Sequence, residues 1–172
     1  GNLQLSHSDN FTFANTVSGS GLIRIGRSTG AENSGGVCTV SGNNSYAGGA
    51  IIMSSATLKL GHANAAGTGA ISTGGSGSLD NGTGGALTIA NALTMSGGSL
   101  TFVGSSDLTI NGATTISGAN RTLTVTAGTL TLGGGLGEDS TRNFTKDGAG
   151  TLVLTGNSTY TGTTTISTAG GK

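Results

Sequence analysis

The sequence lacks proline and tryptophan and has a single cysteine among its 172 residues. Because proline removes a backbone donor, its absence is typical of a chain in which nearly every segment belongs to a hydrogen-bonded sheet. A lone cysteine, Cys38, excludes a disulfide framework and a cysteine-based zinc site. The absences therefore favour continuous β-structure without covalent cross-links.

Charge and long apolar runs are also scarce. Seven basic and seven acidic residues leave no net charge, and nucleic acids and anionic membranes require clustered Lys and Arg. Apolar runs such as Ala50–Met53 are far below the roughly 18 residues of a membrane span. The start carries no charged segment followed by an apolar one, so we expect any targeting signal to have been removed or to lie outside this sequence. We expect no nucleic acid partner and no membrane insertion of this segment.

Glycine is abundant instead, with 35 copies against a usual share of roughly 7%. Disordered chains of the charged kind combine high net charge with proline. Neither is present here, so the glycines are interpreted as turn residues between short strands.

Triplets of the form apolar, Thr, apolar recur through the middle of the chain. They are Leu87–Ile89, Leu93–Met95, Leu100–Phe102, Leu108–Ile110, Leu123–Val125 and Leu130–Leu132, with Thr114–Ile116 as a weaker copy. Alternation with a period of two, rich in β-branched residues, predicts strands that point two side chains inward and one Thr outward. Gly, Asn, Ser and Asp fill the gaps between triplets, as in tight turns.

Every third strand matches the one before it. Leu87, Leu108, Leu130 and Leu152 are separated by 21 or 22 residues, a spacing that suits a solenoid with three short strands per turn. We therefore predict an all-β, right-handed parallel β-helix of about eight three-strand coils of about 22 residues, with residues 1–172 as a single β-helical domain or fragment. A globular sandwich is the alternative.

Two segments resemble each other at an offset of 114 residues. Val40–Gly49 aligns with Leu154–Thr163, Ile52 aligns with Ile166, and the two tyrosines, Tyr46 and Tyr160, occupy the same place. At the front, Cys38 takes the slot that Leu152 fills in the later copy. The repeat-like segments span 36–60 and 147–172.

The shared pattern, G-x-G-T-L-x-L-T-G-x-x-x-Y-x-G-x-T-x-I, resembles the passenger-associated repeat of bacterial autotransporters. These proteins secrete a β-helical passenger through an outer-membrane barrel. The resemblance implies a parallel β-helix exposed outside a Gram-negative cell, acting as a stalk, an adhesive surface or a carrier.

The repeats suggest structural roles for their polar residues. Asn43 and Asn157 stand at turn corners, where their side chains either bond one another along the helix axis or merely adopt a left-handed turn conformation. Tyr46 and Tyr160 are expected to pack their rings over a corner glycine rather than to bind a ligand.

Candidate chemistry is sparse. Gly74–Asp80 resembles a calcium-binding nonapeptide, but Leu79 stands where an Asp is required and no second copy follows. Ser6–Asp9 holds the residue types of a hydrolase triad, which four consecutive residues cannot assemble, and His62 is isolated. We predict no catalytic, metal-binding or cofactor-binding residues and no cofactor, and we leave ligand-binding residues unassigned.

The most polar stretch surrounds the adjacent acids Glu138 and Asp139. Arg142, Lys146 and Asp147 follow closely, which makes this stretch a candidate binding loop. The alternative to a structural protein is a carbohydrate-active β-helix, such as a polysaccharide lyase or hydrolase. That alternative requires Asp107, Asp139, Asp147 and Arg142 to converge in one groove.

Asparagine sequons of the Asn-x-Ser/Thr form occur six times and are attributed to chance in a chain this rich in Asn, Ser and Thr. The six Asn residues are Asn10, Asn43, Asn81, Asn120, Asn143 and Asn157.

The chain opens with Leu3-Gln4-Leu5, which shares its alternation with Leu58-Lys59-Leu60, the strand that follows the first repeat. The second repeat stops where an equivalent strand is due. The chain is therefore either cut from a longer passenger or stacks head to tail, with Leu3 and Leu5 completing the last coil of a neighbour.

The sequence thus predicts a secreted, surface-exposed structural or adhesive β-helix and no enzyme. Its expected partners are other copies of itself or a host surface protein or glycan.

Overall fold

The computed structural model describes residues 1–27 and 36–167, and within these ranges it contains nineteen β-strands. In chain order the strands are β1 (Leu3–Leu5), β2 (Phe11–Phe13), β3 (Ile23–Ile25), β4 (Val37–Val40), β5 (Ala50–Ile52), β6 (Thr57–Leu60), β7 (Ile71–Thr73), β8 (Gly77–Asn81), β9 (Leu87–Ile89), β10 (Leu93–Met95), β11 (Leu100–Phe102), β12 (Leu108–Ile110), β13 (Thr114–Ile116), β14 (Arg121–Val125), β15 (Thr129–Leu132), β16 (Leu136–Glu138), β17 (Phe144–Asp147), β18 (Thr151–Leu154) and β19 (Thr164–Ile166). No helix in the described ranges is long and apolar enough to cross a membrane.

The strands stack into three parallel sheets that form the sides of a prism. Sheet A contains β1, β3, β5, β7, β10, β13 and β16; sheet B contains β2, β4, β6, β8, β11, β14, β17 and β19; sheet C contains β9, β12, β15 and β18. The chain visits the sheets in the order A, B, C, and each strand pairs with its counterpart one coil away. The fold is the parallel β-helix that the triplet pattern predicts.

The register on sheet C reproduces the spacing seen in the sequence. Leu87 pairs with Leu108, Leu108 with Leu130, and Leu130 with Leu152. A 21- or 22-residue spacing thus places each leucine directly over the last, which confirms the coil length inferred from the triplets.

The number of coils and of strands per coil differs from the prediction. The seven strands of sheet A mark about seven coils rather than eight, and the first three coils have two strands each because sheet C begins only at β9. On the third side of these coils, 41–49 is linked to the coils before and after it by backbone bonds such as Ser45 N to Val17 O (2.9 Å) and Thr68 N to Tyr46 O (2.9 Å). The coils can therefore stack through irregular backbone where Gly, Asn and Ala replace the β-branched triplets.

The core is the interior of the prism, filled by the apolar residues of each triplet. On sheet B, Leu58, Leu79, Phe102 and Val125 lie one above another in register and are fully buried. The middle residue of each triplet points outward. Burial therefore follows the alternation of the strands.

One core position holds a polar side chain without a partner, and this leads to a stability prediction. Thr114 lies between Leu93 and Leu136 on sheet A, and its buried hydroxyl makes no hydrogen bond. Because an unpaired buried hydroxyl is costly, we expect Thr114→Val, which keeps nearly the same shape, to raise the free energy of unfolding by about 1 kcal/mol.

Urea denaturation followed by circular dichroism measures this change. The outward neighbour provides the control, since Thr115→Val should change the free energy of unfolding by less than about 0.5 kcal/mol. A Thr114→Val protein less stable than wild type would contradict the expectation.

Candidate functional site

The corner between sheets A and B is held by asparagine side chains. Asn10, Asn120 and Asn143 directly precede β2, β14 and β17. The Oδ1 atom of each accepts a backbone N–H from the following coil, at distances of 2.9 Å (Val37), 2.9 Å (Asn143) and 3.0 Å (Thr163). These side chains bond one coil to the next at the corner, outside the paired strands of sheets A and B.

A buried asparagine performs a similar role between sheets B and C. The amide nitrogen of Asn81 donates to the carbonyls of Gly85 (2.7 Å) and Asp107 (2.6 Å), and its Oδ1 accepts from the backbone N–H (3.0 Å) and hydroxyl (2.8 Å) of Thr83. All of the amide's bonding capacity is used inside the protein. Asn81 is therefore part of the scaffold.

At three of the six sequons the Asn directly precedes a strand and its side chain bonds the following coil. Of the six sequon asparagines, those at 10, 43, 81, 120 and 143 bond other parts of the chain through their side chains. At Asn10, Asn120 and Asn143 the third residue of the sequon is a Thr of the strand that follows. The signal missed in the sequence is the position of Asn10, Asn120 and Asn143 immediately before a strand.

The expected stacking of asparagines occurs at the first repeat. The amide nitrogen of Asn64 donates to Oδ1 of Asn43, one coil away, at 2.8 Å. In the second repeat Asn157 is exposed, and the next residue makes the contact between coils, because Ser158 Oγ accepts the N–H of Leu136 at 3.2 Å. The stacking is confirmed for Asn43 and is replaced by a serine contact beside Asn157.

Position 44 and its counterpart 158 act alike in the two repeats. Oδ1 of Asn44 accepts the N–H of Val17 from the preceding coil at 2.8 Å, as Ser158 does from Leu136. The amide nitrogen of Asn44 also donates forward to the carbonyl of Ala65 at 2.8 Å. In the first repeat this single side chain joins three successive coils.

The tyrosines also contribute to packing between coils. Tyr46 is 2% exposed; its hydroxyl donates to Ala65 O at 3.2 Å, and its ring packs so closely on Gly67 that a Cβ there would lie 2.9 Å from ring atoms. Burial raises the pKa of Tyr46. The corner-glycine contact predicted for the tyrosines is confirmed here.

Tyr160 packs differently from Tyr46. Its ring meets Phe144 edge to face, with centroids 6.2 Å apart, and its hydroxyl lies 2.5 Å from Thr164 Oγ1. Among the described residues, the Tyr160 ring thus contacts an aromatic side chain of the preceding coil.

The two repeats lie on different faces of the prism. The first runs from β4 on sheet B to β5 on sheet A and crosses the third side between them. The second runs from β18 on sheet C to β19 on sheet B and crosses the side of sheet A. Because 114 residues correspond to about five and a third coils of 21 to 22 residues, the second repeat is rotated by one face relative to the first.

The polar stretch predicted as a binding loop divides into two parts. Its first part is a corner between sheets A and B, where Asp139 accepts from Ser117 Oγ (2.8 Å), Gly118 N (2.9 Å) and Arg142 Nε (3.0 Å). The backbone N–H of Gly118 and then the Ser117 hydroxyl and Arg142 hold the pKa of Asp139 below its usual value. The carboxylate therefore fastens this corner to the preceding coil.

Glu138 fastens the same corner to the following coil. Its Oε1 accepts from the backbone N–H and hydroxyl of Thr161, both at 2.6 Å, and its Oε2 accepts from Arg142 N at 2.6 Å. The Thr161 hydroxyl is the main cause of a lowered pKa of Glu138. The adjacent acids thus bond two different coils.

Lys146 and Asp147 form the second part and point in opposite directions. The Lys146 side chain turns into the prism, where its Nζ donates to the carbonyls of Asp147 (2.9 Å) and Gly148 (2.6 Å) and burial lowers its pKa. The Asp147 carboxylate accepts from the Ser167 hydroxyl, which lowers the pKa of Asp147. The structure brings together Glu138, Asp139 and Arg142 but not these two.

Acid should weaken the corner held by Asp139. Its folded-state pKa is below the ordinary value of 3.8, so the carboxylate stabilises the fold above the unfolded-state pKa, and this contribution is lost as the pH falls through the folded-state pKa. We expect the stability difference between wild type and Asp139→Asn to shrink as the pH falls from about 5 to about 2. Urea denaturation at a series of pH values measures it.

The exposed Thr126→Ala variant serves as the control, because its stability should follow the wild-type pH profile. An Asp139→Asn protein whose profile runs parallel to the wild-type one over this range would contradict the assignment.

The residues required by the enzyme alternative fall at separate places. Asp139 and Arg142 pair at the corner between β16 and β17, whereas Asp107 lies between β11 and β12, where its Oδ1 accepts the N–H of Thr129 at 2.7 Å. Asp147 ends β17 and bonds Ser167. Each carboxylate is engaged by different neighbours, and the groove that the alternative requires is not formed by these four residues.

Other candidate residues are similarly engaged. Asp80 pairs with Lys59 Nζ at 3.1 Å and accepts from Ser105 N (2.9 Å) and Oγ (2.7 Å), so its oxygens serve the scaffold. Leu79 is in the core. Among the described residues no cluster of three or more His, Cys, Asp or Glu side chains is arranged to hold a metal ion.

The two histidines make local contacts. His7 Nδ1 lies 3.0 Å from an Asp9 oxygen, and this hydrogen bond lowers the pKa of Asp9. The His7 ring is tilted against the Phe11 ring, with centroids 4.4 Å apart. His62 Nδ1 accepts the N–H of Asn64 at 3.0 Å. His7 and Asp9 thus form a surface pair, and His62 closes a turn.

Comparison with known families agrees with the repeats located in the structure. The family model described as passenger-associated-transport-repeat matches residues 33–60 and 144–171. The chain carries two passenger-associated transport repeats. The matched residues overlap the segments 36–60 and 147–172 and include both tyrosines.

The passenger-associated transport repeats, together with the parallel β-helix, make the chain similar to an autotransporter passenger. The repeat family also implies a secreted, surface-exposed protein. No curated protein and no solved structure matches the chain.

Proposed function

We propose that this chain is an extracellular structural segment of an autotransporter-like protein, a β-helical stalk on the bacterial cell surface. The observation that carries the proposal is the presence of two passenger-associated transport repeats within one stack of parallel coils. At about 4.8 Å per coil, seven coils make a rod about 34 Å long.

The contacts between coils suit a protein that leaves the cell as an extended chain. Each coil pairs with its immediate neighbours, as in other solenoids, so structure can propagate from one coil to the next. Asn44 and Tyr46 of the first repeat both bond Ala65 in the following coil. The repeat is therefore joined directly to the coil that follows it in the sequence.

The distribution of acids supports a structural rather than a catalytic role. Glu138, Asp139 and Asp107 each bond backbone N–H groups of a neighbouring coil. Groups used in this way stabilise the stack, whereas an acid–base pair requires a carboxyl within reach of a substrate.

An adhesive role is a second proposal, which rests on the outer surface of sheet C. Thr88, Thr109 and Thr131 lie in register on three successive coils and point outward. Such a row presents hydroxyl and methyl groups at the coil spacing of about 4.8 Å. The chemistry suits hydrogen bonding to a host surface protein or glycan.

Labelling of intact cells tests the surface location. Antibodies against the 172-residue chain should stain intact cells of the producing bacterium, and external protease should remove the signal. Staining that appears only after the cells are permeabilised would contradict the proposal. An antibody against a cytoplasmic protein verifies that the cells are intact.

A further inference from the structure

The dipeptide Asn-Gly occurs twice in the chain, at Asn81-Gly82 and at Asn111-Gly112. In this dipeptide the backbone nitrogen of the glycine can attack the side-chain amide carbon of the asparagine, because glycine has no Cβ that hinders the approach. The attack is favoured where the glycine N–H and the asparagine amide are both free of hydrogen bonds. The two dipeptides differ in this respect.

Asn81-Gly82 is held on both sides of the bond that would form. Asn81 is fully buried, and its amide uses all of its bonding capacity inside the protein. The N–H of Gly82 donates to the carbonyl of Leu60 in the preceding coil at 2.8 Å. Attack at this dipeptide therefore requires several hydrogen bonds to break first.

Asn111-Gly112 lies at the corner between sheets C and A, after β12 and before β13. Asn111 is exposed. In the part of the chain that the structure describes, neither its side-chain amide nor the N–H of Gly112 makes a hydrogen bond. An exposed side chain without such bonds changes rotamer within picoseconds to nanoseconds, so its amide carbon reaches the neighbouring nitrogen repeatedly.

The next coil leaves the Asn111 amide uncovered. Gly133, the residue that follows β15, lies beside this side chain, and a Cβ at Gly133 would be 2.6 Å from Asn111 Oδ1. Since glycine has no side chain, nothing at this position shields or binds the amide.

We propose that Asn111 is a site of spontaneous deamidation in the folded protein and that Asn81 is protected by its hydrogen bonds. The backbone nitrogen of Gly112 loses its proton and forms a bond to Cγ of Asn111, and the bond from Cγ to Nδ2 breaks. The amide nitrogen leaves as ammonia and takes the proton with it. Water then opens the cyclic imide at either of its two carbonyls, which gives aspartate or isoaspartate.

The isoaspartate product does not fit the corner. Its main chain runs through the former side chain and is longer by one carbon. Gly112 has no room for a longer backbone, because a Cβ on it would overlap the backbone of Asn91 in the preceding coil and a Cβ on Gly134 would overlap the carbonyl of Gly112. Isoaspartate at position 111 therefore loosens the stack, whereas aspartate only adds an exposed charge.

Incubation of the folded 172-residue chain at mildly alkaline pH tests the site. Peptide mapping by mass spectrometry measures the conversion of each asparagine, and isoelectric focusing follows the new negative charge on a chain that has no net charge. We expect Asn111 to convert at least about tenfold faster than Asn81, because two or more net hydrogen-bond energies separate them. In urea, where both dipeptides are unfolded, the two rates should become similar.

Asn111→Gln provides the control variant. It keeps an exposed amide, but attack on it must close a larger ring and is slower, so the fast acidic form should disappear. Persistence of that form at an unchanged rate would overturn the proposal. So would equal conversion of Asn81 and Asn111 in the folded chain, or an Asn111 that reacts in urea but stays intact in the folded chain.

Asn111→Asp separates the added charge from the longer backbone. This variant should unfold at the same urea concentration as wild type, and the purified isoaspartyl form should unfold at a lower one. An isoaspartyl form as stable as Asn111→Asp would overturn the predicted loosening of the corner. None of these readouts depends on the location of the protein, so labelling of intact cells tests the proposed function independently.

Discussion

Replacement of Phe102 by Ala should lower the free energy of unfolding by about 3–5 kcal/mol, the usual cost of removing a buried aromatic side chain. Phe102 is fully buried in the prism between Leu79 and Val125, which lie directly before and after it in register. Removing the ring leaves a cavity lined by side chains of three stacked coils. A shift of one coil alone does not fill it.

Urea denaturation of the Phe102→Ala protein measures the loss. The matched control is Thr101→Ala, one residue earlier on the same strand but pointing outward, which should change the free energy of unfolding by less than about 0.5 kcal/mol. Equal losses of unfolding free energy in the two variants would show that burial of the Phe102 ring does not contribute to stability.

Replacement of Gly49 by Ala should cost about 4 kcal/mol, from two sources that a control can separate. Gly49 has a φ of 74°, which L-residues rarely adopt, and a Cβ there would overlap the carbonyl oxygen of Ala70 in the next coil. That carbonyl accepts the N–H of Ala50 at 3.0 Å. Backbone strain and overpacking each cost about 1–3 kcal/mol.

Gly84→Ala provides the matched control, because Gly84 has a φ of 79° and no atom within 4 Å of an added Cβ. We expect it to cost only the strain, about 1–2 kcal/mol. The difference between the two losses in urea denaturation then measures the close approach of coils. Similar losses in both variants would mean that the backbone at Gly49 moves aside at no cost.

Much of the fold could be predicted from local pattern. The triplet Leu108-Thr109-Ile110 has a period of two, and its copies at Leu87 and Leu130 stand one coil away in the structure, as their spacing indicates. The coil length can be inferred from the sequence because, in a parallel stack, each side chain lies beside the residue at the equivalent position of the next coil. The match between Tyr46 and Tyr160 likewise located both repeats.

Other features could not be predicted because they depend on neighbours that lie one coil away. Asn120 and Asn143 appear as sequons in the sequence, and only stacking places Asn120 Oδ1 at the N–H of Asn143. Lys146 follows Thr145 in an apparently polar stretch, yet the alternation of β17 turns it inward with Phe144.

The sequence by itself determined the strand triplets, the coil length and the two repeats, since these depend on side-chain alternation and on spacing along the chain. Only the tertiary structure decided that the first three coils have two strands, that the repeats lie one face apart, and that the acids at 138 and 139 bond different coils. A face of the prism is set by the cumulative length of every corner before it, and a carboxylate's partner is set by the coil stacked beside it. Neither is a local property of the chain.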